Sequence, residues 1–136
     1  MPTMTAYEPG TFCWTDLAAH DVEAAERFYT QLFGWTARHD RFGPADDDVY
    51  VMLLKDGHDA AALYRMDPTQ VSQGIPSAWL NYVSVESAAQ AAARARELGG
   101  TVLADAFDVM DFGRMALLGD PTGAMLAAWE PGNHVG

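Results

Sequence analysis

The order of local signals in this chain runs twice, and few folds accommodate that repeat. Residues 11–18, TFCWTDLA, alternate apolar and polar side chains with aromatic content, and 79–85, WLNYVSV, do likewise. Both patterns predict strands with one buried face. After the first, Asp21 stands before VEAAERFYTQLFG, where Val22, Ala25, Phe28, Tyr29, Leu32 and Phe33 share one helical stripe and Gly34 is placed to stop it. After the second, Ser87 stands before the Ala-rich AAQAAARARELGG with its Gly-Gly stop. These two cap positions lie 66 residues apart. The parallel continues in YVMLLKDGHDAAALY (50–64) and RMALLGDPTGAMLAAW (114–129), each reading as strand, tight turn, strand. Two copies at such a period point to a duplicated supersecondary unit rather than a solenoid.

Each copy therefore reads β-α-β-β-β. The expected fold is α+β: two βαβββ modules forming a cupped mixed β-sheet, helices outside, with a concave inner face able to hold something. Module one is expected over 10–66, a Pro- and Gly-bearing linker over 67–77 and module two over 78–131. With 136 residues, 49% hydrophobic and 20% charged, the chain suits one domain with one core. No apolar run reaches the length of a membrane span, and MPTMTAYEPG has neither the basic nor the apolar segment of an export signal, so the expected compartment is the cytoplasm. Cys13 is the only cysteine, which excludes an internal disulfide and a cysteine-based zinc site; it reads as a small strand residue. A net charge of -11 repels phosphate backbones and anionic lipid. The expected partner is neither nucleic acid nor membrane.

Three stretches, DVEAAERFYTQLFGW, WLNYVSVESAAQAAARARELGGTVL and GRMALLGDPTGAML, resemble the vicinal oxygen chelate superfamily, which includes glyoxalase I, extradiol dioxygenases, fosfomycin-modifying enzymes and bleomycin-binding resistance proteins. The resemblance runs from residue 10 to 131 and is closest to actinobacterial glyoxalase/bleomycin-resistance-type proteins. It implies a divalent metal held by the opening and last strands of each module, and a two-fold homodimer. Counting back seven from each cap puts the opening-strand positions at Trp14 and Leu80; the last-strand positions fall at Ala62 and Ala127. None offers a donor for a divalent ion. His20, His39, His58 and His134 read as solvated loop, turn or tail residues, and Glu130 falls past the expected end of the last strand. No metal and no other cofactor is expected.

Period-two projection places Phe12, Trp14 and Asp16 on the inner face of the first strand and Leu80, Tyr82 and Ser84 on that of its counterpart. Ala60, Ala62 and Tyr64 follow on one closing strand, and Met125, Ala127 and Trp129 on the other. Phe112, in the acidic segment DAFDVMDFGR (105–114), is expected on a loop at the mouth of the cup; its DFG reads as a turn. The expected ligand site is thus Phe12, Trp14, Asp16, Tyr64, Leu80, Tyr82, Ser84, Phe112, Met125 and Trp129. Such a face favours a flat aromatic or polycyclic natural product, bound without conversion and so sequestered. Two alternatives remain open: a metal-independent isomerase or cyclase using Asp16 as base, and a metal-dependent lyase or dioxygenase.

Overall fold

The computed structural model describes residues 4–41 and 49–136. Its elements run β1 (Phe12–Ala19), α1 (Val22–Phe33), β2 (Thr36–Arg41), β3 (Val49–Lys55), β4 (His58–Arg65), α2 (Pro68–Ser72), β5 (Ala78–Ser84), α3 (Ala88–Glu97), β6 (Thr101–Val109), β7 (Gly113–Gly119) and β8 (Met125–Pro131). The β-α-β-β-β order thus occurs twice. Two compact units emerge, one of residues 15–79, the other of 80–136 together with the N-terminal residues through Trp14. The eight strands pair in mixed fashion, and the architecture is α+β.

In the unit of residues 15–79 the strand order is β2-β3-β4-β1, with β1 and β4 parallel and the other neighbours antiparallel. Asp21 caps α1 by accepting from the Ala24 amide at 3.0 Å, and Gly34 ends the helix in the left-handed region at φ 71°. Leu17 and Ala19 of β1, with Val51, Leu53, Ala61 and Leu63, form the core against which Val22, Ala25 and Tyr29 of α1 pack. Leu17 and Ala19 therefore face the helix, and Asp16, next to Leu17, faces the other side of the strand. The β3–β4 turn is Asp56-Gly57, both at positive φ, the geometry that favours this dipeptide.

The expected linker carries a helical turn, α2. Asp67 accepts from the Thr69 amide at 2.8 Å, and Pro68 occupies the start of the helix, where its missing N–H costs nothing. The proline that reads as a breaker acts here as an initiator. His20 ties this segment down: its ring Nε2 donates to the Ile75 carbonyl at 2.7 Å, and its amide donates to Ser77 Oγ at 3.0 Å.

In the other unit the order is β5-β8-β7-β6, with β5 and β8 parallel. Ser87 caps α3 through the Gln90 amide, and Glu130 accepts from the Ala88 amide at 2.9 Å. Glu130 thus lies within β8 rather than beyond it, and its carboxylate stands at a helix N-terminus. Ala88 and Ala92 pack on Ala116 and Ala128, so small side chains bring helix and strands close together. In the turn before β8, Asp120 Oδ1 accepts from the Thr122 amide, the Thr122 hydroxyl and the Ala124 amide, which holds its carboxyl below the ordinary carboxylate range. DAFDVMDFGR is mostly strand: β6 runs to Val109 and only 110–112 turn before β7.

Candidate functional site

An aromatic wall forms in the unit of residues 80–136. Tyr82, Ala127 and Trp129 are buried in one cluster with Cys13, and Trp14, Leu80 and Met115 pack against it half-buried. Register explains the grouping: parallel pairing sets Tyr82 opposite Ala127 and Ser84 opposite Trp129. Ala127 has no side chain beyond Cβ, so rings flank it. Tyr82 and Trp129 meet edge to face at 6.1 Å.

Residues 132–134 run across the edge of this wall. The amides of Gly132 and His134 donate to the Phe112 carbonyl at 2.8 and 3.1 Å, and Asn133 Nδ2 donates to the Asp111 carboxylate at 2.9 Å. Trp129 Nε1 donates to the His134 carbonyl at 2.8 Å, and the His134 ring stands edge-on to Trp14 at 4.9 Å. Phe112 lies 6.5 Å from the same imidazole. His134, which reads as a solvated tail residue, is therefore a half-buried strap over Trp14 and Trp129. Gly113 makes room for the indole: a Cβ there would sit 2.7 Å from Trp129 Cζ2.

Phe12 and Met125 have the expected parity but lie at the first positions of β1 and β8, 67% and 55% exposed, outside the cluster. Ser84 is fully buried, and its backbone exchanges hydrogen bonds with Gly10 and Thr11. That placement makes it a support of the wall rather than a contact for a guest. Burial pushes the Cys13 thiol up to about 11, which keeps it protonated near neutrality.

Asp16 and Tyr64 lie in the unit of residues 15–79 and form a separate polar centre. Asp16 is buried, opposite Ala62 in the β1–β4 register. Tyr50 Oη donates to Asp16 Oδ2 at 2.8 Å, and the Tyr50 and Tyr64 rings stack at 6.1 Å with 22° between planes. Burial, and then the Asp16 charge, push the Tyr64 hydroxyl up to about 12. Tyr50 went unrecognised in the sequence. Its signal was there, since β3 alternation puts Tyr50 and Met52 on one face, opposite Tyr64 and Ala62.

The four positions at which the resembled superfamily would hold a metal carry an indole, an isobutyl group and two methyls. Trp14, Leu80, Ala62 and Ala127 do not fit a divalent ion, which needs oxygen or imidazole ligands. Among the described residues, no three His, Cys, Asp or Glu side chains gather as a metal site requires. His39 lies on β2, bonded to Glu26, and His58 opens β4.

Known proteins share the sequence pattern and the fold of this chain. Over all of its 136 residues the chain is 38% identical to CFP32 of Mycobacterium tuberculosis (strain CDC 1551 / Oshkosh), whose name carries a provisional glyoxylase label. It is 35% identical over 139 aligned positions to the anthracycline biosynthesis protein DnrV of Streptomyces peucetius, which covers 95% of this chain. The chain spans about half the length of these relatives, 51% of the first and 50% of the second. Among solved structures, methylmalonyl-CoA epimerase from Mycobacterium tuberculosis superposes with a TM-score of 0.63 at 16% identity, covering 96% of this chain and 93% of that one. That likeness shows the fold alone. No helix among the described residues is long and apolar enough to cross a membrane. A family model matches residues 11–128, and the chain belongs to the Glyoxalase/Bleomycin resistance protein/Dioxygenase superfamily.

Proposed function

We propose that this chain binds a flat, polycyclic aromatic natural product against the wall of Trp14, Leu80, Tyr82 and Trp129, without a metal, and retains it unchanged. The observation that carries the reading is the replacement of donors by rings and methyls at the positions where this superfamily would hold an ion. Planar guests gain from stacking on indole and phenol rings and need few polar groups to orient them. Covering roughly 300 Å² of apolar surface contributes about 7 kcal/mol before ordering costs, which makes burial the main favourable term for such a guest. The relatives named for anthracycline biosynthesis support the ligand class. The charge of -11 favours a guest with a cationic substituent.

Half of the wall is already covered from within the chain. Tyr82 and Trp129 are buried, so a guest meets Trp14 and Leu80 first, and stacking on Trp14 displaces the His134 ring. Titration with an anthracycline, read by tryptophan fluorescence, should give saturable quenching that Trp14→Ala weakens at least tenfold and His134→Ala strengthens. Absence of quenching at 100-fold excess would refute binding at this wall. Mass spectrometry of the recovered compound should show it unaltered.

The Asp16–Tyr50 bond supports a second reading, proton transfer. A buried carboxylate bonded to a phenol can take a proton from a carbon acid and return it at another position, the chemistry of an isomerase or cyclase. A converted compound, with conversion lost in Asp16→Asn, would favour this reading over retention.

A further inference from the structure

A groove runs beside helix α1, on the helix-facing side of β1 and wholly within the unit of residues 15–79. Its volume is about 450 Å³, within the range of small-molecule sites. The short side chains of Ala19, Ala24, Ala25 and Ala78 in its lining leave that room. The lining also holds three aromatic rings, Phe28, Tyr29 and Trp79, of which Phe28 is 58% and Trp79 36% exposed. These rings stand at right angles in pairs. Phe28 meets Tyr29 at 5.0 Å and 87°, and Tyr29 meets Trp79 at 5.2 Å and 81°.

The rings are held in place before any guest arrives. Trp79 Nε1 donates to the Tyr29 hydroxyl oxygen at 3.0 Å, which joins helix and strand across the groove. The segment leading to Trp79 is fixed in turn by His20, through its ring to the Ile75 carbonyl and its amide to Ser77 Oγ. Such preorganisation lowers the ordering cost of binding. Charge then decides the class of guest. The lining contains one carboxylate, Asp21, and neither Lys nor Arg. Asp21 Oδ1 caps α1 through the Ala24 amide, and Glu23 follows in the same first turn, so two acidic side chains offset the positive end of the helix. An anion would meet both of them.

We propose that this groove is a small-molecule site, separate from the aromatic wall, for an organic ammonium cation seated among Phe28, Tyr29 and Trp79 with Asp21 as its counter-ion. A ring attracts a cation over its negative face, and rings set at right angles offer two such faces around one point. An alkylated ammonium suits the site better than a metal ion, because its methyl groups are weakly hydrated and gain from contact with the alanines and Leu17. A neutral aromatic guest would cover Asp21 without pairing its charge. The groove lies on the side of β1 away from Asp16, and the inference does not rest on the ligand proposed for Trp14 and Leu80.

The probes are choline and the uncharged alcohol in which carbon replaces its nitrogen. Choline, titrated to about 10 mM into the isotope-labelled whole chain, should shift the amides of Ala24, Ala25, Ala78 and Trp79 and saturate with a dissociation constant of about 1 mM or below. The alcohol should bind at least about tenfold more weakly. Asp21→Asn keeps a capping side chain and should weaken choline about fivefold while leaving the alcohol unchanged. Trp79→Leu, and separately Phe28→Leu at its exposed position, should each weaken choline severalfold with unchanged far-UV circular dichroism. Asp108→Asn removes an equal charge from the other unit, and Trp14→Ala removes a ring of the wall; neither should alter choline binding. Absence of saturable shifts, equal affinity for the alcohol, a loss in Asp108→Asn as large as in Asp21→Asn, or shifts confined to the wall of Tyr82 and Trp129 would each overturn the proposal.

Discussion

Replacing Gly113 with alanine places one methyl group where the structure has no room for it. The new Cβ would lie 2.5 Å from the Glu130 carbonyl oxygen and 2.7 and 3.0 Å from Cζ2 and Cε2 of Trp129. Neither neighbour yields easily. Glu130 is in β8, paired opposite Arg114, and its side chain accepts the Ala88 amide at the start of α3; the indole is tethered through Nε1 to the His134 carbonyl. Overpacking of this kind costs about 1–3 kcal/mol, and freeing the indole from His134 adds roughly 1 kcal/mol, for a total of about 2–4 kcal/mol. In a domain of this size that is a fall in Tm of roughly 7–14 °C. Thermal unfolding followed by near-UV circular dichroism is the appropriate assay, because it reports the tryptophan environment as well as the transition. Acrylamide should also quench more of the fluorescence as Trp129 leaves its pocket. A variant within 1 kcal/mol of the parent, with unchanged aromatic signal, would refute the claim that Gly113 is required by the approach of Trp129.

Two further outcomes follow from titratable groups. The hydroxyl of Tyr64 is raised from 10.0 to about 12, so below pH 10 it contributes no pH dependence, whereas between 10 and 12 the unfolded chain ionises it first and stability falls. The loss should reach about 2–3 kcal/mol near pH 12, and denaturant midpoints measured from pH 9 to 12 should fall less steeply in Tyr64→Phe, which keeps the stacking on Tyr50. Cys13, raised from 9.0 to about 11 by burial, should react with a disulfide reagent at pH 8 about a hundredfold more slowly than a solvated thiol, and urea should restore the ordinary rate.

Local chemistry was the legible part of the sequence. Asp21, Ser87, Gly34 and the Asp56-Gly57 turn all act within four residues of themselves, so identity and spacing were enough to place them. The duplicated order was legible for the same reason, as a sum of local signals. Contacts across the chain were not. Glu130 caps a helix that begins 42 residues before it, Tyr50 reaches Asp16 across 34, and neither separation has any meaning until register is fixed. Periodicity assigns a face to Phe12 and Met125 but carries no information about position along the strand, and both lie exposed at strand starts. The Gly113 requirement and the His134 strap share that origin, since each depends on where an indole five or more residues distant comes to rest.

Duplication also sharpens what the two units have become. Asp16 and Tyr82 each stand five residues before a helix cap, and each pairs with an alanine of its unit's last strand, Ala62 or Ala127. Two positions beyond the first alanine comes Tyr64, and two beyond the second comes Trp129. The shared feature is the fully buried alanine, whose single methyl leaves space beside the larger group paired with it. In one copy that group is a carboxylate that recruits Tyr50, and in the other a phenol that packs on an indole. A buried carboxylate must be hydrogen-bonded to be tolerated, so its copy gathers polar partners; a buried ring needs only area, so its copy gathers other rings. One backbone plan therefore yields an acidic centre and an aromatic wall, and only the second is suited to a guest that presents little besides a flat apolar surface.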